Sequence, residues 1–298
     1  MEEQRQTVCF IDTNVAYGIL ITVYTVVLIG GFTGTVLMFI FLCRTNTRSL
    51  TTTAVMNLLI IHSIFIVSVP FRIAYYIQNR WIFGFVFCKL VSAMIHIHMY
   101  LSFIFYTVIL VIRYLCFFRD KDKIEFYRKL HAVVASATVW AVTLIIILPV
   151  IITQYGNNAT NTNESCFMFQ NELKKNPVMV LNYLFVAVVM AVVCGLLLVQ
   201  IIILVKLVKN LQGPILSHQE IRAQLKSLFF IFIMIVCFFP YHMLRIYYVH
   251  HPDECFYFNE ICLSITALSC LDLLAFALKI CSQKLCSNFG CTINCFHR

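Results

Sequence analysis

A chain of 298 residues that is 61% hydrophobic and only 12% charged, with a mean hydropathy of +0.88, excludes a soluble globular domain. The net charge of +9 would suit a nucleic-acid binder, but the bases gather at the ends of apolar runs on one side, which points to a membrane and not to nucleic acid. The 14 cysteines do not imply a disulfide framework, because most lie inside apolar runs where cysteine acts as a small hydrophobe; Cys9, Cys88, Cys166 and Cys255, in predicted outer segments, are the disulfide candidates.

The first fifteen residues hold Glu2, Glu3 and Asp12 and one base, Arg5, so no secretory signal is expected and the first apolar run is its own insertion signal. Seven runs predict spanning helices at 16–43, 52–77, 85–118, 131–154, 177–209, 221–249 and 257–280. They make a single all-α membrane domain over 1–298, with an extracellular N-terminus (1–15), seven helices (16–280) and a cytoplasmic tail (281–298). Loop charge sets this orientation: fourteen Lys and Arg fall on the predicted inner side and seven on the outer. Two sequons, Asn158-Ala159-Thr160 and Asn163-Glu164-Ser165, lie in the longest outer connector and are expected glycosylation sites. The tail predicts a short amphipathic surface helix with Cys281 and Cys286 placed for palmitoylation. No internal repeat is visible, which disfavours a transporter built from repeated halves.

The third run, from Cys88 to Tyr114, contains no acid or base between its cysteine and Arg113 other than Lys89 and two histidines. At about 1.5 Å per residue its Cys88 and Arg113 ends lie roughly 37 Å apart, on opposite faces of a bilayer. His96 and His98 are two apart and face different sides, so they cannot chelate together, and no metal site is expected. No HExxH, CxxC, nucleophile elbow or glycine-rich phosphate loop is present, so no catalytic residue or cofactor is expected and an enzyme is disfavoured.

Several motifs then fall in one register: Cys88 opening the third helix with Cys166 in the second outer loop, Arg113-Tyr114 ending the third helix, and Trp140 with Pro149 in the fourth. Cys237-Phe238-Phe239-Pro240 stands in the sixth helix and Asp272-Leu273-Leu274-Ala275-Phe276 in the seventh. With this topology the chain resembles the rhodopsin-like G protein-coupled receptors, and the stretch Pro240 to Arg245 resembles the branch with nucleotide and lipid-mediator receptors. The runs FRIAYYI, CKLVSAMIHIHMYL, EFYRKLHAV and LSHQEIRAQLKSLFF resemble one orphan member. The resemblance implies a plasma-membrane receptor that passes an extracellular signal to heterotrimeric G proteins. It also implies a Cys88–Cys166 disulfide, with a second one open to Cys9 and Cys255.

Ionisable groups inside a membrane are costly and usually face the bundle interior, which makes them the candidate site. Arg72, Lys89 and Arg245, with His96, Tyr100, Tyr241 and His242, suit a small-molecule or lipid ligand bearing phosphate or carboxylate. The alternative has Arg72 and Lys89 snorkelling outward and Arg245 paired with Glu260. Ile112 stands where the family has an acid before Arg113, so a latch from Arg113 to Glu220 on the sixth helix is expected instead. His62 replaces the family's sodium-binding aspartate, and a His62–Asp272 pair, charged or sharing one hydrogen bond, is expected in its place. Phe238, Leu273 and Phe276 replace the family's tryptophan, proline and tyrosine, which leaves open a second reading: a non-coupling or constitutively active scaffold or decoy.

Overall fold

The computed structural model describes residues 9, 11–44, 50–118, 125–147, 149, 166–168, 175–209 and 219–279. Asn158, Asn163, Cys281, Cys286 and the expected tail helix lie outside the described residues. Among the described residues the structure is helical, without strands. Helix α1 is Thr13–Arg44, α2 Leu50–Gln78, α3 Phe85–Phe118, and α4 Glu125–Val142 followed by a π-helical turn, Thr143–Ile147. Helix α5 is Asn176–Lys209. Helix α6 joins Gln219–Ile233, a π-helical turn Met234–Phe238, and Phe239–Tyr248. Helix α7 joins Phe256–Ala267, a 3-10 turn Leu268–Leu271, and helical residues 272–279. Six of these are long and apolar enough to cross a membrane, and in α4 the apolar stretch is the shorter Ser136–Ile145.

The buried positions of α1, Ala16, Leu20, Tyr24, Val27, Gly31, Gly34 and Met38, recur every three or four residues and define one stripe. The remaining faces stay apolar because lipid, like the core, accepts Val, Ile and Phe. Gly30 and Gly34 form a small-xxx-small pair that lets α1 approach α7 closely: a Cβ on Gly34 would meet the Leu274 amide nitrogen at 2.5 Å. Helix α3 is the inner pillar, packed against α2, α6 and α7.

Weakly apolar α4 is fastened to α2 by polar atoms. The Trp140 indole N–H donates to Asn57 Oδ1 at 2.9 Å, and Asn57 Nδ2 donates to Ser136 Oγ at 2.9 Å. Every arm of that carboxamide is thereby used inside an apolar layer.

Two helices are broken near mid-span. Pro240 has no N–H and its ring crowds the carbonyl four residues back, at Val236, within the π-helical turn that absorbs the mismatch. Helix α7 has Leu273 where the family carries proline, yet it tightens to 3-10 geometry. Ser264, Thr266 and Ser269 hydroxyls each donate to the carbonyl three residues back, which pulls the ladder toward the tighter turn.

Candidate functional site

The two disulfides mark one end of the bundle. Cys88 is bonded to Cys166 and Cys9 to Cys255, with Cα separations of 5.8 and 5.0 Å. Next to Cys166, Phe167 has φ of +71°, a left-handed value that costs an aromatic residue free energy. Its ring lies 4.4 Å from the Arg72 guanidinium and packs edge-on against Tyr75 and Trp81. Trp81 is oriented by donating its indole N–H to the Gly84 carbonyl at 2.7 Å, in a turn where Gly84 takes φ of +83°.

Beneath Phe167, Arg72 is 1% exposed and does not snorkel. It donates to Tyr24 Oη at 3.3 Å and to the Val91 carbonyl at 3.2 Å, and its Nη1 stands 3.7 Å from the Glu260 carboxylate. The Tyr76 hydroxyl donates to the same carboxylate at 3.2 Å. Glu260, which the sequence offered to Arg245, is thus also met by Arg72. Arg245 donates to two carboxamides, Asn182 at 2.8 Å and Asn259 at 3.3 Å, and lies between the Tyr241 and Tyr248 rings. Glu260 still feels both guanidinium groups.

Lys89 is buried with its ammonium 4.8 Å from the Phe85 ring centre. His96, bonded at 3.1 Å to the Ser92 carbonyl, lies in the field of both arginines. Tyr100 packs on Phe185 and approaches His242, which in turn packs on Tyr241. The structure therefore brings His96, Tyr100, Tyr241, His242 and Arg245 to one region, with Arg72 beside it. Sequence reasoning missed Asn182 and Asn259; the available signal was carboxamides in apolar helices near the depth of Arg245.

At mid-span His62 and Asp272 meet at 3.3 Å, Nε2 to Oδ1, both completely or almost completely buried. The expected pair is not isolated. Tyr106 donates to the other carboxylate oxygen at 2.7 Å, and His62 Nδ1 lies 2.9 Å from His98 Nε2. Cys270 Sγ is 3.2 Å from that same His98 nitrogen. Imidazoles, a thiol and one carboxylate already engaged by a tyrosine are a poor donor set for sodium, which prefers several hard oxygens.

At the opposite end Arg113 reaches α6 through Ser227 Oγ at 3.4 Å and lies over the Phe230 ring. The Glu220 side chain lies outside the described residues. Ser227 is seven residues further along α6, about two turns nearer mid-span than Glu220. Tyr114 donates to the Leu196 carbonyl on α5 at 3.2 Å. Between this end and mid-span, Phe238 packs on Phe103 and Tyr106, and Phe230 on Tyr106 and Phe276. Ser227→Ala is expected to remove one hydrogen bond to a partly screened charge, about 1 kcal/mol, and to raise basal nucleotide exchange on a G protein roughly fivefold at most. An unchanged baseline shows that Ser227 does not bias the switch.

Residues 33–277 match the family model of the 7 transmembrane receptor (rhodopsin family). The chain is 50% identical over 264 residues to Probable G-protein coupled receptor 141 of Homo sapiens, covering 86% of this chain and 87% of that protein. It is 26% identical over 224 residues to the N-arachidonyl glycine receptor of Macaca fascicularis, covering 72% and 66% of the two chains. It is also 27% identical over 285 residues to Probable G-protein coupled receptor 34 of Mus musculus, covering 89% and 75%. With the Cys88–Cys166 disulfide, the Arg113-Tyr114 pair, the broken sixth helix at Pro240 and these matches, this chain belongs to the rhodopsin family of seven-transmembrane receptors.

Proposed function

We propose that this receptor binds an anionic organic ligand at its disulfide end, outside the plasma membrane, and engages a heterotrimeric G protein at its Arg113 end. The supporting observation is a charge imbalance: Arg72, Lys89 and Arg245 are all buried there, and Glu260 is the one buried carboxylate at that end among the described residues. Arg72 is paired with Glu260, and Arg245 is held by Asn182 and Asn259 beside the same space, where a guanidinium suits a carboxylate or phosphate. Tyr100, His242 and Tyr241 supply apolar walls with polar edges beside it. One relative is named for N-arachidonyl glycine, a lipid that ends in a carboxylate, which fits the same chemistry.

The test is a panel of fatty-acyl amino acids, lysophospholipids and nucleotides read by G-protein activation. An agonist found in it is expected to lose at least tenfold in potency on Arg245→Gln, from a lost charge-assisted hydrogen bond of about 1.5–3 kcal/mol. Equal potency on the variant would exclude Arg245 as the anion partner.

A second reading has its own observation. Phe276, in place of a tyrosine, is packed against Phe229 and Phe230 of α6, and Leu273 replaces the proline, so the inner ends of α6 and α7 are joined by aromatic contact without that hydroxyl. A receptor-like scaffold or decoy that does not couple is the function this favours. Basal nucleotide exchange compared with Arg113→Ala separates the two: equal, background-level exchange supports the decoy.

A further inference from the structure

We infer that His62, His98 and Cys270 form a zinc site that ties α2, α3 and α7 together at mid-span. Their ligand atoms, one from each residue, all lie within 4.8 Å of one another, and all three residues are completely buried. His62 Nδ1 and Cys270 Sγ both converge on His98 Nε2, at 2.9 and 3.2 Å. In a tetrahedral zinc site with nitrogen bonds near 2.0 Å and a sulfur bond near 2.3 Å, neighbouring ligand atoms stand about 3.3–3.6 Å apart. The two separations at His98 Nε2 need to open by only a few tenths of an ångström, and the third pair, within 4.8 Å, closes to match.

Hydrogen bonding alone satisfies this cluster only when His62 is an imidazolium against the Asp272 carboxylate. If His62 Nε2 carries its proton toward Asp272, then Nδ1 is an acceptor, and His98 Nε2 must donate. That single N–H then faces both His62 Nδ1 and Cys270 Sγ, and the thiol proton has no acceptor among these atoms. If His98 Nε2 accepts instead, His62 must carry protons on both nitrogens. Around the cluster, His62 Nε2 and Asp272 Oδ1 face each other at 3.3 Å and have no other hydrogen-bond partner, and His98 Nδ1 has none. Ser102 Oγ, one turn along α3 on the face of His98, is likewise fully buried without a hydrogen-bond partner.

A divalent ion is the arrangement that leaves both imidazoles neutral. His62 Nδ1, His98 Nε2 and a Cys270 thiolate become ligands. The far nitrogen of His62 then keeps its proton against Asp272, 3.3 Å away, and Tyr106 fixes that carboxylate from its other oxygen. This is the carboxylate–histidine–metal arrangement that orients ligating histidines. Binding expels the thiol proton to solvent, and the charges then cancel: two positive on the ion, one negative on Cys270, one on Asp272, with both imidazoles neutral. Neutrality is what a low-dielectric mid-membrane site demands. One thiolate and two imidazoles select a borderline-soft ion such as zinc over sodium, magnesium or calcium.

The experiment uses full-length receptor purified in detergent from zinc-supplemented cells. Elemental analysis is expected to find about one zinc per chain after chelator dialysis, the stoichiometry of a closed structural site. Cobalt(II) loaded in its place is expected to give a near-ultraviolet sulfur-to-cobalt absorption band. Cys270→Ser is expected to abolish that band and lower retained zinc at least tenfold, while Cys262→Ser, buried elsewhere on α7, retains both. Wild-type receptor that holds no zinc and shows no cobalt–sulfur band overturns the inference, and needs no variant to fold. Zinc and band that persist in Cys270→Ser overturn it equally, by placing the metal elsewhere.

Discussion

Gly34→Val is expected to leave almost no folded receptor, whereas Gly18→Val in the same helix is expected to be nearly silent. A Cβ at Gly34 meets Leu274 N at 2.5 Å and its Cα at 2.8 Å, and backbone cannot rotate aside as a side chain can. The α1–α7 contact must therefore open, at a cost of about 3 kcal/mol or more. At Gly18 nothing lies within 4 Å, so the added methyls meet lipid and the change stays within about 0.5 kcal/mol. Gly30 falls between, because its nearest obstacle at 2.5 Å is the Leu271 Cδ2 methyl, which can swing away. Fluorescence-detected size exclusion with melting temperature gives the ranking, and equal yields for Gly34→Val and Gly18→Val would remove the close approach from the account.

Glu260→Ala is the second large effect, and here the damage comes from what is left behind. It leaves the Arg72 guanidinium without its carboxylate in a site 1% exposed, beside Tyr24, Tyr76, the Val91 carbonyl and the Phe167 ring. Removing one partner of a buried pair costs about 3–5 kcal/mol, far more than the pair itself contributes. Arg72→Met alone leaves Glu260 with the Tyr76 hydroxyl and the field of Arg245, and so is expected to be milder. The double variant Arg72→Met with Glu260→Ala is expected to recover most of the lost melting temperature. If the double variant melts below both single variants, the two residues are not coupled as an ion pair.

The spans were legible because transmembrane helices must be long and apolar, and most helix ends lie within a few residues of the expected ones. The fourth was the exception: expected at 131–154, its α-helical part begins at Glu125 and ends at Val142. Asn57 and Trp140 fasten it to α2. Arg72, Arg245, His62 and Asp272 were legible as ionisable residues inside apolar runs. Their partners were not. A helix apolar on all sides does not reveal which face turns inward, since lipid and core accept the same residues. So the sequence left Glu260 open to Arg245 when its neighbour is Arg72, and judged His98 against His96 on its own helix when its neighbours are His62 and Cys270. The glycines of α1 carried a signal, two small residues four apart, that hydropathy does not register.

The bond between Cys9 and Cys255 spans 246 residues of sequence and encloses six of the seven helices, α1 through α6, leaving only α7 outside. Topologically the molecule is a lasso, a closed loop of main chain with a tail. A single break anywhere between those two cysteines opens the loop but leaves both pieces covalently joined. Fragments of that loop separate only when such a break is joined by a second one or by loss of that bond, and a break between Cys88 and Cys166 is bridged by their disulfide as well.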